Sequence, residues 1–280
     1  MEIAQAVFEY GKITRAYKDA DLERAWDWGD YHEGVRFAFF RTYEDLLQLA
    51  THLVTDRRLS NQPQTTAQLC LAQYLAAFRD LQAVLLGVDD VLAEQVPAAG
   101  EWSVRQVVPH ILGAERSFFA VIRYALERSR LADDRPIEMP DEAFEEFWTR
   151  DGFESRLSQG PVSALMAYYD AWHLTVIQEF SSVSEAELQL PSIFWESQPM
   201  SVEFRLHRFD SHLRQHTIQI EKALEKMGHE PTESLRLLRL IFAACAQVEG
   251  VRLGVDEIGK AECERLAKTI HSRSQELLKG

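Results

Sequence analysis

The sequence predicts an all-α protein. Apolar residues recur at three- and four-residue spacings along most of the 280 residues, and no convincing alternating strand pattern is present. The 13 Gly and 9 Pro fall between these periodic segments, where they indicate helix ends. Hydrophobic residues make up 46% of the chain, which is enough for a sizeable buried core.

The N-terminal part of the sequence is predicted to form two long helices. Asp30 followed by Glu33 resembles a capping start, so we expect a helix from there to Val54. A break near Pro63 follows, and leucines at helical spacing predict a second helix over about 66–92.

The next helix has the most complete start signal in the chain. Ser103 as N-cap and Gln106 three residues later form a capping box, and Trp102 and Val107 fit a hydrophobic staple around it. We expect this helix to run over 103–128. It is apolar over most of its circumference, which indicates burial on several sides.

The rest of the chain continues as helices separated by connections. An acidic stretch rich in Pro and Gly predicts a long crossover with at most one short helix. In order, the predicted segments are the crossover over 131–160, a helix over 161–180, an apolar-rich loop over 191–200, a helix over 201–227, and two closing helices over 234–248 and 256–278.

Three histidines in two separated segments are the candidate functional residues. His212 and His216 lie four residues apart on one predicted helix, so they share a face and can hold one metal ion. His216 falls on the apolar heptad of that helix, where an imidazole is costly unless it finds a partner. That partner is either a metal, with His110 as a third ligand, or a polar group on a facing helix.

Two segments resemble the DinB-like (DinB/YfiT) superfamily. The first is the pattern from Trp102 to Glu115, which contains His110. The second is Phe209 to Ile220, which contains the His212/His216 pair about a hundred residues later. The likeness covers about residues 66–230, and the order and separation of the two motifs make it fairly specific.

This resemblance implies a four-helix bundle with one long crossover and a divalent metal, typically zinc or nickel, held by His110, His212 and His216. It also implies thiol-dependent transferase, isomerase or metal-dependent hydrolase activity, commonly in a homodimer. We therefore expect three parts: an N-terminal helical extension (1–62), a DinB-like bundle (63–231) and a C-terminal helical extension that packs on it (232–280).

The predicted function is that of a metal-dependent enzyme acting on a small molecule. Three neutral imidazoles leave a metal ion open positions, at which water or a low-molecular-weight thiol cosubstrate is acidified. The reaction is then hydrolysis or thiol-dependent transfer, between which the sequence does not choose. The alternative is a non-catalytic bundle that binds a small ligand or a protein partner, with the histidines as ordinary core residues.

Four further residues near these motifs carry weaker predictions. His173 is a weak candidate for a fourth ligand or general base, although a hydrogen-bonded core histidine is the better interpretation. His207 points away from His212 on an ideal helix, and Glu115 is expected to form a hydrogen bond or salt bridge rather than to ligate. Pro109 predicts a kink beside His110 that aims this ligand towards the core or away from it.

Composition excludes several classes of function. The formal net charge of −14 disfavours nucleic acids and anionic membrane surfaces as partners. No apolar stretch reaches transmembrane length. Cys70, Cys245 and Cys263 show neither a disulfide framework nor a thiolate metal spacing, so we expect a reducing, cytoplasmic location.

Overall fold

The computed structural model describes residues 2–149 and 160–279. Within these ranges it is 71% helical, with 12 helices and one pair of two-residue antiparallel strands, which confirms the all-α prediction. The helices are α1 (Ile3–Thr14), α2 (Asp19–Leu22), α3 (Val35–Leu59), α4 (Thr66–Leu85), α5 (Asp90–Glu94), α6 (Val104–Arg130), α7 (Asp141–Thr149), α8 (Val162–Phe180), α9 (Glu185–Leu188), α10 (Val202–Lys226), α11 (Glu233–Arg252) and α12 (Lys260–Lys279). The strands are β1 (Pro191–Ser192) and β2 (Met200–Ser201).

Two predicted helix bounds are wrong for local backbone reasons. Helix α3 begins at Val35 rather than near Asp30, because Gly34 adopts φ +80° as its N-cap. A Cβ at that position would lie 2.8 Å from the carbonyl oxygen of Arg24, so glycine is required there. The helix predicted over 66–92 ends at Leu85, and the Asp89 carboxylate caps a separate short helix, α5.

Other predicted elements are confirmed more closely. The backbone N–H of Ser103 donates to the Gln106 side chain at 2.9 Å, so the capping box forms and starts α6 where expected. The predicted apolar loop over 191–200 contains the β1–β2 pairing, which sequence periodicity did not indicate because each strand has two residues. The predicted crossover over 131–160 contains α7, and its residues 150–159 lie outside the described ranges.

The chain forms two compact units. The first comprises Met1–Gln64, Leu75–Val88 and Gly228–Gly280. In it α11 packs along α3 and α1 packs along α12, around a shared apolar core. A bidentate ion pair between Arg79 and Glu249 links α4 to α11 at 2.6 and 2.8 Å within this unit. The terminal segments therefore build a core of their own.

The second unit comprises Thr65–Tyr74 and Asp89–Met227. Here the first half of α4 joins α6, α8 and α10 in a four-helix bundle, and α6 and α10 form its main helix pair. Each of the four helices contributes a fully buried ring to the core of this unit. These rings belong to Tyr74, Phe118, Tyr169 and Phe209. Among the described residues no helix is long and apolar enough to cross a membrane.

Candidate metal centre

Three imidazoles meet where α6 packs against α10. His212 and His216 are one turn apart on α10 and each is 7% exposed, whereas His110 on α6 is exposed. Their ring centroids lie 4.4, 4.6 and 5.3 Å apart. One nitrogen from each ring can be chosen so that all three lie within 4.8 Å of one another. The structure therefore brings the three predicted residues into one group that could hold a metal ion.

His110 reaches this group from a helix that contains a proline. Helix α6 continues through Pro109 as far as Arg130, so the proline does not end it. The His110 ring lies 4.6 Å from that of His216 and 5.0 Å from that of Trp102, the residue before the helix cap. Of the two orientations that the sequence left open, His110 adopts the one that faces α10.

Hydrogen bonds determine which nitrogens of the buried pair are available. The Nδ1 of His216 lies 2.7 Å from Oε1 of Gln219, an acceptor, so Nδ1 carries the proton and Nε2 keeps its lone pair. This Nε2 lies 3.1 Å from Nε2 of His212. The Nδ1 of His212 is buried and has no hydrogen-bond partner among the described residues. The two facing Nε2 atoms therefore repel unless a proton or a cation lies between them.

The surroundings of His212 and His110 disfavour the protonated form of these two imidazoles. Burial, followed by the charges of His216, His110 and Arg208, lowers the pKa of His212 to about 3. Burial and then His216 also lower the pKa of His110. Neutral imidazole is the form that binds metal, because protonation removes the lone pair.

The donor set fits a divalent ion that prefers nitrogen. Two nitrogens that share a tetrahedral zinc ion at its usual bond length lie about 3.3 Å apart. The Nε2 atoms of His212 and His216 are 3.1 Å apart, close to that spacing. Imidazole donors suit zinc and nickel, whereas calcium and magnesium prefer oxygen. Three donors also leave positions open for a further ligand.

Two other histidines, one on α8 and one on α10, lie outside the three-histidine group. His173 is 1% exposed, and its ring lies 4.3 Å from that of Tyr74 in the bundle core. His207 is exposed, and its Nε2 lies 3.4 Å from the sulfur of Cys70. The prediction that His207 points away from the candidate site agrees with this placement.

The prediction that Glu115 forms a hydrogen bond rather than binding the metal is confirmed. Its carboxyl group is fully buried and accepts hydrogen bonds of 2.5 Å from the hydroxyls of Tyr74 and Tyr169. Burial raises its pKa to about 8, although the two hydroxyls partly offset this rise. The sequence signal for this environment was a carboxyl group in the apolar middle of α6, together with an inward-facing Tyr169 on α8. Two neutral tyrosine hydroxyls, rather than a charged side chain, hydrogen-bond this carboxyl group.

The fold and the site together define the class of this protein, a helical bundle with three clustered imidazoles that could hold a metal ion. The family model described as the DinB superfamily matches residues 73–220, more than half of the chain and all three histidines of the group. The chain therefore belongs to the DinB superfamily. Neither the curated proteins nor the solved structures contain a match to this sequence.

Proposed function

We propose that the protein is a divalent-metal-dependent enzyme acting on a small molecule, with the ion held by His110, His212 and His216. The single observation that carries this proposal is the three-imidazole group itself, in which no proton-accepting carboxylate takes part. Burial lowers the pKa of His212, which favours its neutral form, and the Nε2 atoms of His212 and His216 face each other at 3.1 Å. Zinc or nickel is the proposed metal.

The chemistry follows from the donor set. A divalent ion bound by three neutral imidazoles supplies Lewis acidity, which lowers the pKa of a water molecule or thiol at its remaining positions. Gln219 keeps the Nε2 lone pair of His216 aimed at the group, and Phe118 packs edge-on against the His212 ring at 5.7 Å. Both contacts restrict ring rotation, which prepares the ligands before the ion arrives.

We infer hydrolysis or thiol-dependent transfer as the reaction class, with membership of the DinB superfamily as its support. The same membership supports a homodimer. The three free, buried cysteines support a cytoplasmic location, because no disulfide pairs them in the described part of the chain. Light scattering of the purified protein tests the dimer, for which we expect twice the 32.2 kDa chain mass.

The test of the metal proposal is the metal content of protein prepared without a histidine tag. The protein is stripped with a chelator, refilled separately with zinc and nickel, passed through a desalting column and analysed by inductively coupled plasma mass spectrometry. We expect about one equivalent per chain, because the three nitrogens form a single group.

A protein that stays metal-free under these conditions would contradict the enzyme proposal. The same result would favour the alternative, a non-catalytic bundle in which the imidazoles are core residues. Metal that binds in the same amount to a triple His110→Ala, His212→Ala, His216→Ala variant would place the ion elsewhere. Refilled protein is then assayed for hydrolysis with and without an added thiol, which separates the two reaction classes.

A further inference from the structure

Three arginines on α10 differ in their partners. Arg205 is fully buried and forms a bidentate ion pair with Glu196 at 2.6 and 2.7 Å. Arg214 pairs with Asp210 at 2.7 Å. Arg208 lies between them and forms no ion pair with any carboxylate in the described part of the chain.

Arg208 is adjacent to the three-histidine group. It precedes His212 by one helical turn on α10. Its guanidinium lies 5.8 Å from the centre of the Phe118 ring, and Phe118 in turn contacts His212. Within the described part of the chain its one hydrogen bond is donated to the Ser211 hydroxyl at 3.4 Å. Most of its five N–H donors therefore remain available.

The charge beside Arg208 requires an anion once the metal is bound. Three neutral imidazoles leave the ion its full double positive charge, and Arg208 adds a third positive charge nearby. Both oxygens of Glu115, the buried carboxyl on α6, are engaged by the hydroxyls of Tyr74 and Tyr169. An exogenous anion is therefore the natural counter-charge, and guanidinium groups bind carboxylates in a bidentate geometry.

Aromatic rings extend away from the same point. Phe118 contacts Phe194 at 6.3 Å, and Phe194 stacks on Trp195 at 5.6 Å and lies 6.1 Å from Phe144. Phe144 stacks on Trp148 at 5.9 Å, so the five rings form a continuous aromatic strip. Trp195 is 68% exposed, and Phe144, Trp148 and Phe194 are partly exposed. The strip thus has accessible apolar surface from Phe194 outward, and the buried ring of Phe118 lies between Phe194 and His212.

Trp148 joins the strip to the His110 side of the group. Its ring atom Cη2 lies 3.3 Å from the position that a Cβ would occupy on Gly113. Gly113 follows His110 by about one helical turn, so the missing side chain leaves room for the indole on that face of α6. The aromatic strip therefore borders α6 one turn beyond His110 and contacts the His212 ring through Phe118.

We propose that Arg208 and the aromatic strip form the substrate-binding subsite of the metal centre, and that they select a small organic anion carrying an aromatic group. Arg208 binds the anionic group beside the metal, and the partly exposed ring of Phe194 packs against the aromatic group. Arg208 is a positioning residue in this arrangement. The proposal rests on the proposed metal function, but it assigns a substrate class that the metal ligands alone do not.

The experiment uses phenylacetate as the probe and two matched comparisons. Acetate keeps the carboxylate without the ring, and phenylacetamide keeps the ring without the charge. Each is titrated by calorimetry into wild-type protein, Arg208→Gln, Phe194→Leu and Arg214→Gln. Every protein is measured both loaded with zinc and metal-free, after its metal content has been determined.

For zinc-loaded wild-type protein we expect phenylacetate to bind at least about tenfold more tightly than acetate or phenylacetamide. Arg208→Gln should weaken phenylacetate binding by about tenfold or more and leave the zinc content at the wild-type level. Phe194→Leu should weaken phenylacetate binding and leave acetate binding unchanged. Arg214→Gln, which removes an arginine with its own acidic partner, should change neither.

The outcomes separate this proposal from the proposed metal function. Absence of zinc from wild-type protein overturns the metal function, and the metal-free titrations then decide the role of Arg208 by themselves. Zinc-loaded wild-type protein that does not bind phenylacetate overturns the subsite proposal while the metal function stands. Equal phenylacetate binding by wild type and Arg208→Gln, with full zinc content in both, also overturns it.

Discussion

Two polar clusters lie within about one and a half turns of each other on α6, and they satisfy their polar atoms differently. In the three-histidine group the Nε2 atoms of His212 and His216 face each other at 3.1 Å, and the buried Nδ1 of His212 has no hydrogen-bond partner among the described residues. The second cluster consists of Tyr74, Glu115 and Tyr169, which we call the tyrosine–carboxyl cluster. There each carboxyl oxygen accepts one hydroxyl proton, and all three residues are fully buried.

The difference indicates which cluster depends on something outside the chain. The facing Nε2 atoms of His212 and His216 repel unless a proton or a cation lies between them, so an ion supplied from outside the chain would stabilise this cluster. The tyrosine–carboxyl cluster is complete without a ligand and joins α4, α6 and α8 inside the bundle. We therefore expect substitutions in the first cluster to affect metal binding and those in the second to affect stability.

The largest effect is expected when a buried imidazole is removed. His212→Ala and His216→Ala should each lose essentially all bound metal, a loss of more than about 100-fold in affinity, because two donors cannot replace three. The measurement is zinc affinity by competition with a chromogenic chelator. Stability without metal should change little or rise, because each substitution removes a polar ring from a buried position.

Two controls sharpen this contrast. His207→Ala removes an imidazole from the same helix but outside the group, and Glu115→Gln alters the tyrosine–carboxyl cluster. Both should keep about one equivalent of zinc at wild-type affinity. If Glu115→Gln lost metal as completely as His212→Ala, the two clusters would act as one unit. Metal binding and stability would then not divide between them.

The next effect is a pH dependence of stability that originates at Glu115. Burial raises the pKa of this carboxyl group to about 8 from its ordinary 4.5. Below pH 4.5 the carboxyl group is protonated in both folded and unfolded chains, so its contribution to stability is complete. As the pH rises from about 4.5 to 8, only the unfolded chain releases the proton, and the free energy of unfolding falls.

This dependence is measured as a difference between two proteins. Glu115→Gln keeps a hydrogen-bonding amide between Tyr74 and Tyr169 but cannot titrate. Urea unfolding of metal-free wild type and Glu115→Gln is followed between pH 5 and pH 8. The stability of the wild type relative to the variant should fall by roughly 2–4 kcal/mol over that range. Parallel profiles for the two proteins would mean that Glu115 does not carry the proton.

The sequence was sufficient for the helices and for the three histidines. Periodicity and the Ser103 capping box predicted α6, and the heptad of α10 predicted that His216 is buried. Spacing along a helix fixes which residues share a face, so the His212/His216 pair followed from local geometry. Whether His110 joins this pair depends on how α6 packs on α10. Local patterns do not determine that packing, so the prediction for His110 relied on the family resemblance.

The remaining features depend on contacts between residues that are distant in sequence. Gly34 determines where α3 begins because of an approach to the Arg24 carbonyl oxygen, which no local pattern reveals. The partners of Glu115 come from α4 and α8, and each is more than forty residues away along the chain. Hydrogen-bond satisfaction of a buried carboxyl group is a property of the packed bundle. The sequence could identify the group but not its environment.

The smallest of the expected effects concerns Gln219, which is not a proposed metal ligand but hydrogen-bonds the proposed ligand His216. Its Oε1 accepts the Nδ1 proton of His216 at 2.7 Å and so keeps the Nε2 lone pair facing His212. Gln219→Leu removes that acceptor, and zinc affinity should fall by about tenfold while one equivalent still binds at high zinc concentration. Gln219→Glu keeps an acceptor in place and should bind zinc at least as tightly as the wild type. The same chelator competition measures the zinc affinity of both variants. An equal loss of zinc affinity in Gln219→Leu and Gln219→Glu would show that packing at position 219, rather than the hydrogen bond, supports His216.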